Sequence, residues 1–125
     1  LRHETRAGSH YDWLLAMPTD PTGLLWAARM HVLPAHWGHA RSWILTTLPA
    51  HRRVYLHYQG PVSAGRGVVR RVDSGVAMVK LWTASRAIID VRLRGFSGQV
   101  ELKSLDRDSW RASIQHTQGM LQEVI

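Results

Sequence analysis

Cysteine is absent from this 125-residue chain. That excludes disulfides, thiolate zinc sites and a cysteine nucleophile, and it fits a reducing compartment. Lysine is scarce: of the 16 basic residues only Lys80 and Lys103 are lysine, and the other 14 are arginine. No apolar run is long enough to span a bilayer and no signal peptide is visible, so no membrane association is expected. The first residue is Leu1 and not methionine. The expectation is therefore a trimmed chain with further residues upstream.

What is present fits one domain over residues 1–125. Apolar residues make up 45% of the chain, enough for a core, and the formal charge is +7. Arginine offers a planar fork suited to phosphate oxygens, so a basic surface of this kind points to a polyanion such as nucleic acid. A GC-rich genome would also raise the arginine share, but it would not by itself produce the net charge.

Leu1 to Glu4 and His10 to Ala16 read as two strands joined by a turn at Arg6-Ala7-Gly8-Ser9. Met17 to Gly23 reads as a loop, and Leu24 to Met30 as a strand. His31 to Arg41 reads as irregular, because Pro34 and Gly38 interrupt it. Thr47 and Pro49 look like the start of a short helix carrying His51 and Tyr55 on one face. The same stretch also alternates at Val54, Leu56 and Tyr58, as a strand would.

After the loop Gly60 to Gly67, short strand-like runs follow at roughly ten-residue spacing. They cover Val68 to Val72, Val76 to Trp82, Ala87 to Arg94, Gln99 to Lys103 and Trp110 to Ile114. The expected fold is mostly β, an antiparallel meander closed as a barrel or sandwich. The tail Gln118 to Ile125 reads as a short helix or a frayed end. The six tryptophans read as core.

Three constellations could carry chemistry. His3, His10 and Asp12 would share one face of a hairpin, and two imidazoles with a carboxylate suit a divalent transition metal. The plainer alternative is two surface histidines and a salt-bridging aspartate. His51 and Tyr55 could hold or protonate a phosphate, against a loop histidine and a half-buried tyrosine. Gly65-Arg66-Gly67, followed by Arg70-Arg71, could cradle an anion, against a hairpin loop with solvated charges.

Taken in order, these residues resemble the 3'-phosphoesterase domain of bacterial DNA ligase D and its short standalone relatives. The resemblance rests on His3 followed by His10-Tyr11-Asp12, on Trp26-Ala27, on His51 four residues before Tyr55, and on Tyr58 and Gly60. The run from Gly60 through Gly67 to Val72-Asp73-Ser74-Gly75 extends it.

The resemblance implies a compact antiparallel β-barrel with one or two short flanking helices. It implies a manganese-dependent hydrolase, with zinc or another transition metal as alternatives, that removes a 3'-phosphate or 3'-ribonucleotide from DNA or primer ends in DNA repair and non-homologous end joining. His3, His10 and Asp12 match the family's metal ligands, and His51 and Tyr55 match residues that contact the scissile phosphate. A bacterial, cytoplasmic, nucleoid-associated monomer is implied, with a ligase or polymerase acting in trans.

The chain departs from the family pattern at Leu14, where the family keeps a phosphate-binding arginine, and at Arg29-Met30, where it keeps a lysine. The spacing from His3 to His10 is one residue longer than usual. Arg29, Arg66 and Arg70 are the candidates to supply the missing phosphate contact. Two alternatives stand beside the enzyme: a nucleic-acid-end binding module of the same fold, and an unrelated β-barrel without a metal site.

Overall fold

The structure is a computed structural model, and it describes residues 1–17 and 22–115. The chain opens with a hairpin. β1 (Arg2–Thr5) and β2 (Gly8–Ala16) pair with His3 directly opposite His10. β3 (Leu25–Met30) returns along β2 and sets Arg29 opposite Asp12. After α1 (Pro34–Ala40), β4 (Ser42–His51) pairs with β3. A 3-10 turn, Arg53–Leu56, leads to the short strands β5 (Gly60–Pro61) and β6 (Val68–Arg70), and β6 pairs with β1. β7 (Val76–Trp82), β8 (Arg86–Arg92), β9 (Ser97–Ser104) and β10 (Ser109–Gln115) form a meander, and β10 joins β4. One antiparallel sheet results, in the order β5-β6-β1-β2-β3-β4-β10-β9-β8-β7.

The mostly-β expectation holds, and the barrel is matched only loosely, because among the described residues no ladder closes the sheet between β5 and β7. The sheet nevertheless curls. Laid flat, eight strand spacings would separate β6 from β7 by about 38 Å. The five residues Arg71–Gly75 that join them reach about 20 Å at full extension. The two ends of the sheet must therefore approach, and the core shows that they do. Trp13 and Leu15 from β2 share one buried cluster with Ile89 and Val91 from β8 and Val100 and Leu102 from β9.

The Asp73 carboxylate helps hold this seam. It accepts the backbone N–H groups of Arg94 and Gly95 at 2.9 and 2.8 Å, tying the crossover to the β8–β9 turn. Strand pairing stops short of closure beside a largely apolar cavity of about 350 Å³, whose walls include Tyr11, Trp13, Trp37, Val76 and Val91.

The strands follow the alternation of the sequence. Ile89 and Val91 point inward while Arg92 is exposed. The tryptophans are core as expected: Trp13, Trp37, Trp43 and Trp110 are buried, and Trp26 and Trp82 pack against the cluster. The turn between β1 and β2 is two residues, Arg6–Ala7, so Gly8 and Ser9 already belong to β2.

Two local expectations are corrected. Pro34 to Ala40 is helical and not irregular. Proline occupies the first turn, where its fixed φ is compatible, and Arg41 closes the end in a left-handed conformation with its N–H on the Trp37 carbonyl at 2.9 Å. Gly38 is tolerated because Trp37 anchors the helix in the core. Conversely, Thr47 to His51 is strand and not helix. This stretch pairs with β3, the Thr47 N–H donates to the Asp108 carbonyl just before β10 at 2.7 Å, and Thr47 Oγ1 accepts the indole N–H of Trp110 at 3.2 Å. The only helical turn left from that expectation is the four-residue 3-10 segment. Most of the predicted Met17 to Gly23 loop and the whole tail Gln118 to Ile125 lie outside the described residues.

Candidate metal-binding cleft

The site lies on the face of β1–β4 that points away from the core cluster. On β2, Tyr11, Trp13 and Leu15 turn to the core side, so His10, Asp12 and Leu14 turn to the other face. Cross-strand partners share a face, which places His3, Val69 and Arg29 with them. These residues, except Leu14, floor a cleft of about 690 Å³ whose walls include Pro49, His51, Arg52, Tyr55, Ser63 and Arg66.

His51 reaches this face through a bulge. Ala27 pairs with Leu48 and Leu25 with His51, so Pro49 and Ala50 together oppose the single residue Trp26. The extra residue inverts the alternation of β4. Without it His51 would share the core-facing side of Trp43 and Leu45; with it His51 shares the face of Leu25, Ala27 and Asp12. Proline suits the bulge because it has no N–H to lose from the ladder.

His3, His10 and Asp12 each present a potential ligand atom, and these atoms all lie within 4.8 Å of one another. His10 Nε2 and Asp12 Oδ1 are 3.1 Å apart. They are not aligned for a hydrogen bond, and both are buried with no hydrogen-bond partner. Two adjacent buried polar atoms without hydrogen-bond partners are costly unless a cation or water satisfies them. Two ligands held about 2.1 Å from one ion at a right angle lie about 3 Å apart, so this spacing fits. The donor set, two imidazoles and one carboxylate, suits manganese or zinc. Among the described residues this is the one group of three or more such side chains.

Asp12 is 3% exposed and faces two histidines of opposite behaviour. Burial pushes the His10 imidazole below its ordinary value despite the pull of Asp12, and the positive charge of Arg29 and the neighbouring His3 and His31 push the same way. His10 is thus held neutral, the form that can ligate a metal. His51 Nε2 stands 3.7 Å from Asp12 Oδ2, an ion-pair distance. The Asp12 carboxylate raises His51 above its ordinary value; burial opposes this, and the Nδ1–H bond to the Pro49 carbonyl at 2.9 Å assists it. Asp12 pulls both imidazoles upward; burial outweighs that pull at His10, setting it below the ordinary value, and falls short of it at His51, leaving it above.

The other expected site residues divide. Tyr55 lies beside His51, ring centroids 5.9 Å apart, and lines the cleft. Arg29 and Arg66 line it too. Arg70 does not: it follows Val69 on β6, so its side chain points to the opposite face, where it is paired across from Arg2.

Arg52, which sequence reasoning passed over, stacks its guanidinium 5.6 Å from the Tyr55 ring centroid on the cleft wall. Its only signal was adjacency to His51. Ser63 was missed as well; it holds Arg66 through its carbonyl at 2.8 Å and its hydroxyl at 3.0 Å.

The described residues thus form an open, curled antiparallel sheet with a half-buried histidine–carboxylate cluster on its outer face. No protein-family model matches the chain, and no curated protein matches it. Among the described residues, no helix is long and apolar enough to cross a membrane.

Proposed function

We propose that this protein is a divalent-metal-dependent phosphoesterase acting on nucleic-acid 3' ends, in the manner of the DNA ligase D end-processing domain. The observation that carries the reading is the convergence of His3, His10 and Asp12 on one point, with His51 facing the same carboxylate. His3, His10 and Asp12 would hold the ion, with manganese preferred and zinc the alternative. When bound, the ion supplies Lewis-acid polarisation of a phosphoryl oxygen.

The protein's own groups supply the remainder. His51 holds a proton on Nε2 and gives it to the leaving 3' oxygen as the phosphorus–oxygen bond breaks and water adds to phosphorus. Tyr55 flanks that imidazole. Arg29, directly opposite Asp12, and Arg66, pinned by Ser63, face the cleft and would neutralise the phosphate. The net charge of +7 favours encounter with a DNA or DNA/RNA end. Such an end would be passed to a ligase or polymerase acting in trans during DNA repair.

The test is phosphate release from a 3'-phosphorylated primer by manganese-loaded protein. Release by the wild type and none by His10→Ala supports the reading. No release from the full-length protein with any divalent metal overturns it.

A second reading has its own observation. Leu14 stands where the resembling family keeps an arginine, and it lines the apolar seam cavity, not the metal cleft. A charge-assisted contact is missing at the reacting centre. The alternative is accordingly a module that binds nucleic-acid ends without turnover. Salt-dependent primer binding with no phosphate release selects it.

A further inference from the structure

The loop between β5 and β6 approaches the cluster from above. The ring nitrogen Nε2 of His3 lies 2.6 Å from the backbone carbonyl of Arg66. A carbonyl only accepts, so this nitrogen must carry the proton and donate it. A neutral imidazole with its proton on Nε2 has its lone pair on Nδ1. The same contact fixes the ring's rotation, because turning it over would exchange Nε2 for a carbon and lose the bond.

The approach is close and depends on one glycine. Gly67 adopts φ +92°, in the left-handed region, and a Cβ there would stand 2.0 Å from the Glu4 carbonyl oxygen on β1. Only glycine lets the loop lie against β1 at that point. The loop is internally braced: Val62 N–H donates to the Gly67 carbonyl at 2.7 Å, and the Arg66 side chain is tied to Ser63. The carbonyl that meets His3 is thus carried by a fixed turn.

We infer that the Arg66 carbonyl is a positioning group that locks His3 as the Nε2–H tautomer, so that His3 ligates a divalent metal through Nδ1, and that Gly67 is what allows the loop to do so. This rests on the metal reading above and deepens it. Arg66 would then act twice: its carbonyl orients a ligand, and the residue, its guanidinium tied to Ser63, also lines the same cleft. Outer partners of this kind typically change metal affinity about 10–100-fold.

The experiment is long-range proton–nitrogen correlation NMR on the full chain labelled with nitrogen-15 in histidine, at alkaline pH where imidazole is neutral. His3 is assigned by its loss in His3→Gln, and zinc serves as the diamagnetic probe. The expected result is a protonated Nε2 on His3 before and after zinc, with Nδ1 moving on addition. A free protein with the proton on Nδ1, or zinc moving Nε2, overturns the inference and leaves the metal site standing. Zinc moving no histidine resonance overturns both. In parallel, zinc titration of Gly67→Ala should show affinity about 10–100-fold weaker than wild type. A folded Gly67→Ala variant that binds as tightly as wild type overturns the role of the loop. Because the tautomer is read on the wild-type protein, a variant that does not fold leaves the inference open to refutation.

Discussion

At the scale of residues, Asp12 organises the cleft. It is buried and stands between His10, which burial shifts toward its neutral form, and His51, which the carboxylate draws toward its charged form. Replacing Asp12 with asparagine keeps the shape and removes the charge. In the metal-free protein Asp12→Asn should make His51 titrate at a lower pH than in the wild type, read from its ring-proton shifts. A His51 midpoint that does not move would remove Asp12 as the cause.

The sign for stability follows from the raised His51 value. The pair stabilises the fold fully below the ordinary imidazole value of 6.5, and this contribution is lost as the pH rises through the higher folded value. His10 and Asp12 were legible in the sequence because a two-residue spacing on a strand fixes a shared face. His3 was legible through the turn expected at Arg6-Ala7-Gly8-Ser9, which the structure tightens to Arg6–Ala7. The different protonation tendencies of His10 and His51 were not legible, since they depend on burial and on a partner 39 residues away.

At the scale of elements, the β4 bulge and the helix α1 show how local signals are overruled. Thr47 and Pro49 carry a helix-start pattern, yet pairing with β3 fixes this stretch as strand. The proline then falls in the bulge that turns His51 to the cleft. Helix α1 forms through a glycine because of one side chain. Trp37 is fully buried, stacks on Trp43 at 4.6 Å, meets Trp13 at 5.1 Å and donates its indole N–H to the Val32 carbonyl at 2.9 Å. Trp37→Ala should cost about 3–5 kcal/mol of unfolding free energy, by removing that packing and leaving a cavity. Urea unfolding followed by circular dichroism measures it. A loss under about 1 kcal/mol would mean that the site collapses freely around the smaller side chain.

At the scale of the whole molecule, the sheet unites segments that are far apart in sequence. β4 and β10 join the two halves, and the short crossover from β6 to β7 forces the ends together without closing them. The proposed ion would tie β1 to β2 on the outer face, and it would bind only the folded arrangement. Binding confined to the folded state stabilises it by about 2.7 kcal/mol at a hundredfold excess over the dissociation constant. Manganese or zinc should therefore raise the melting temperature of the wild type with concentration, and His10→Ala should show no such rise. Calorimetric scans across a metal series test this, and equal shifts in both proteins would place the binding elsewhere.

The sequence by itself determined the β character, the strand positions after Gly60 and the pairing of His10 with Asp12. Alternation and turn chemistry are local and period-two spacing is rigid. It also determined that the tryptophans would form the core. The tertiary structure decided that the sheet stays open, because closure depends on how far the β6–β7 crossover draws two distant edges together. It decided that His51 faces Asp12, because one extra residue opposite Trp26 inverts a strand's faces. And it decided which arginines meet the cleft: Arg29 by its register with Asp12, Arg66 by the loop, and not Arg70, one residue past Val69 on the wrong face of β6.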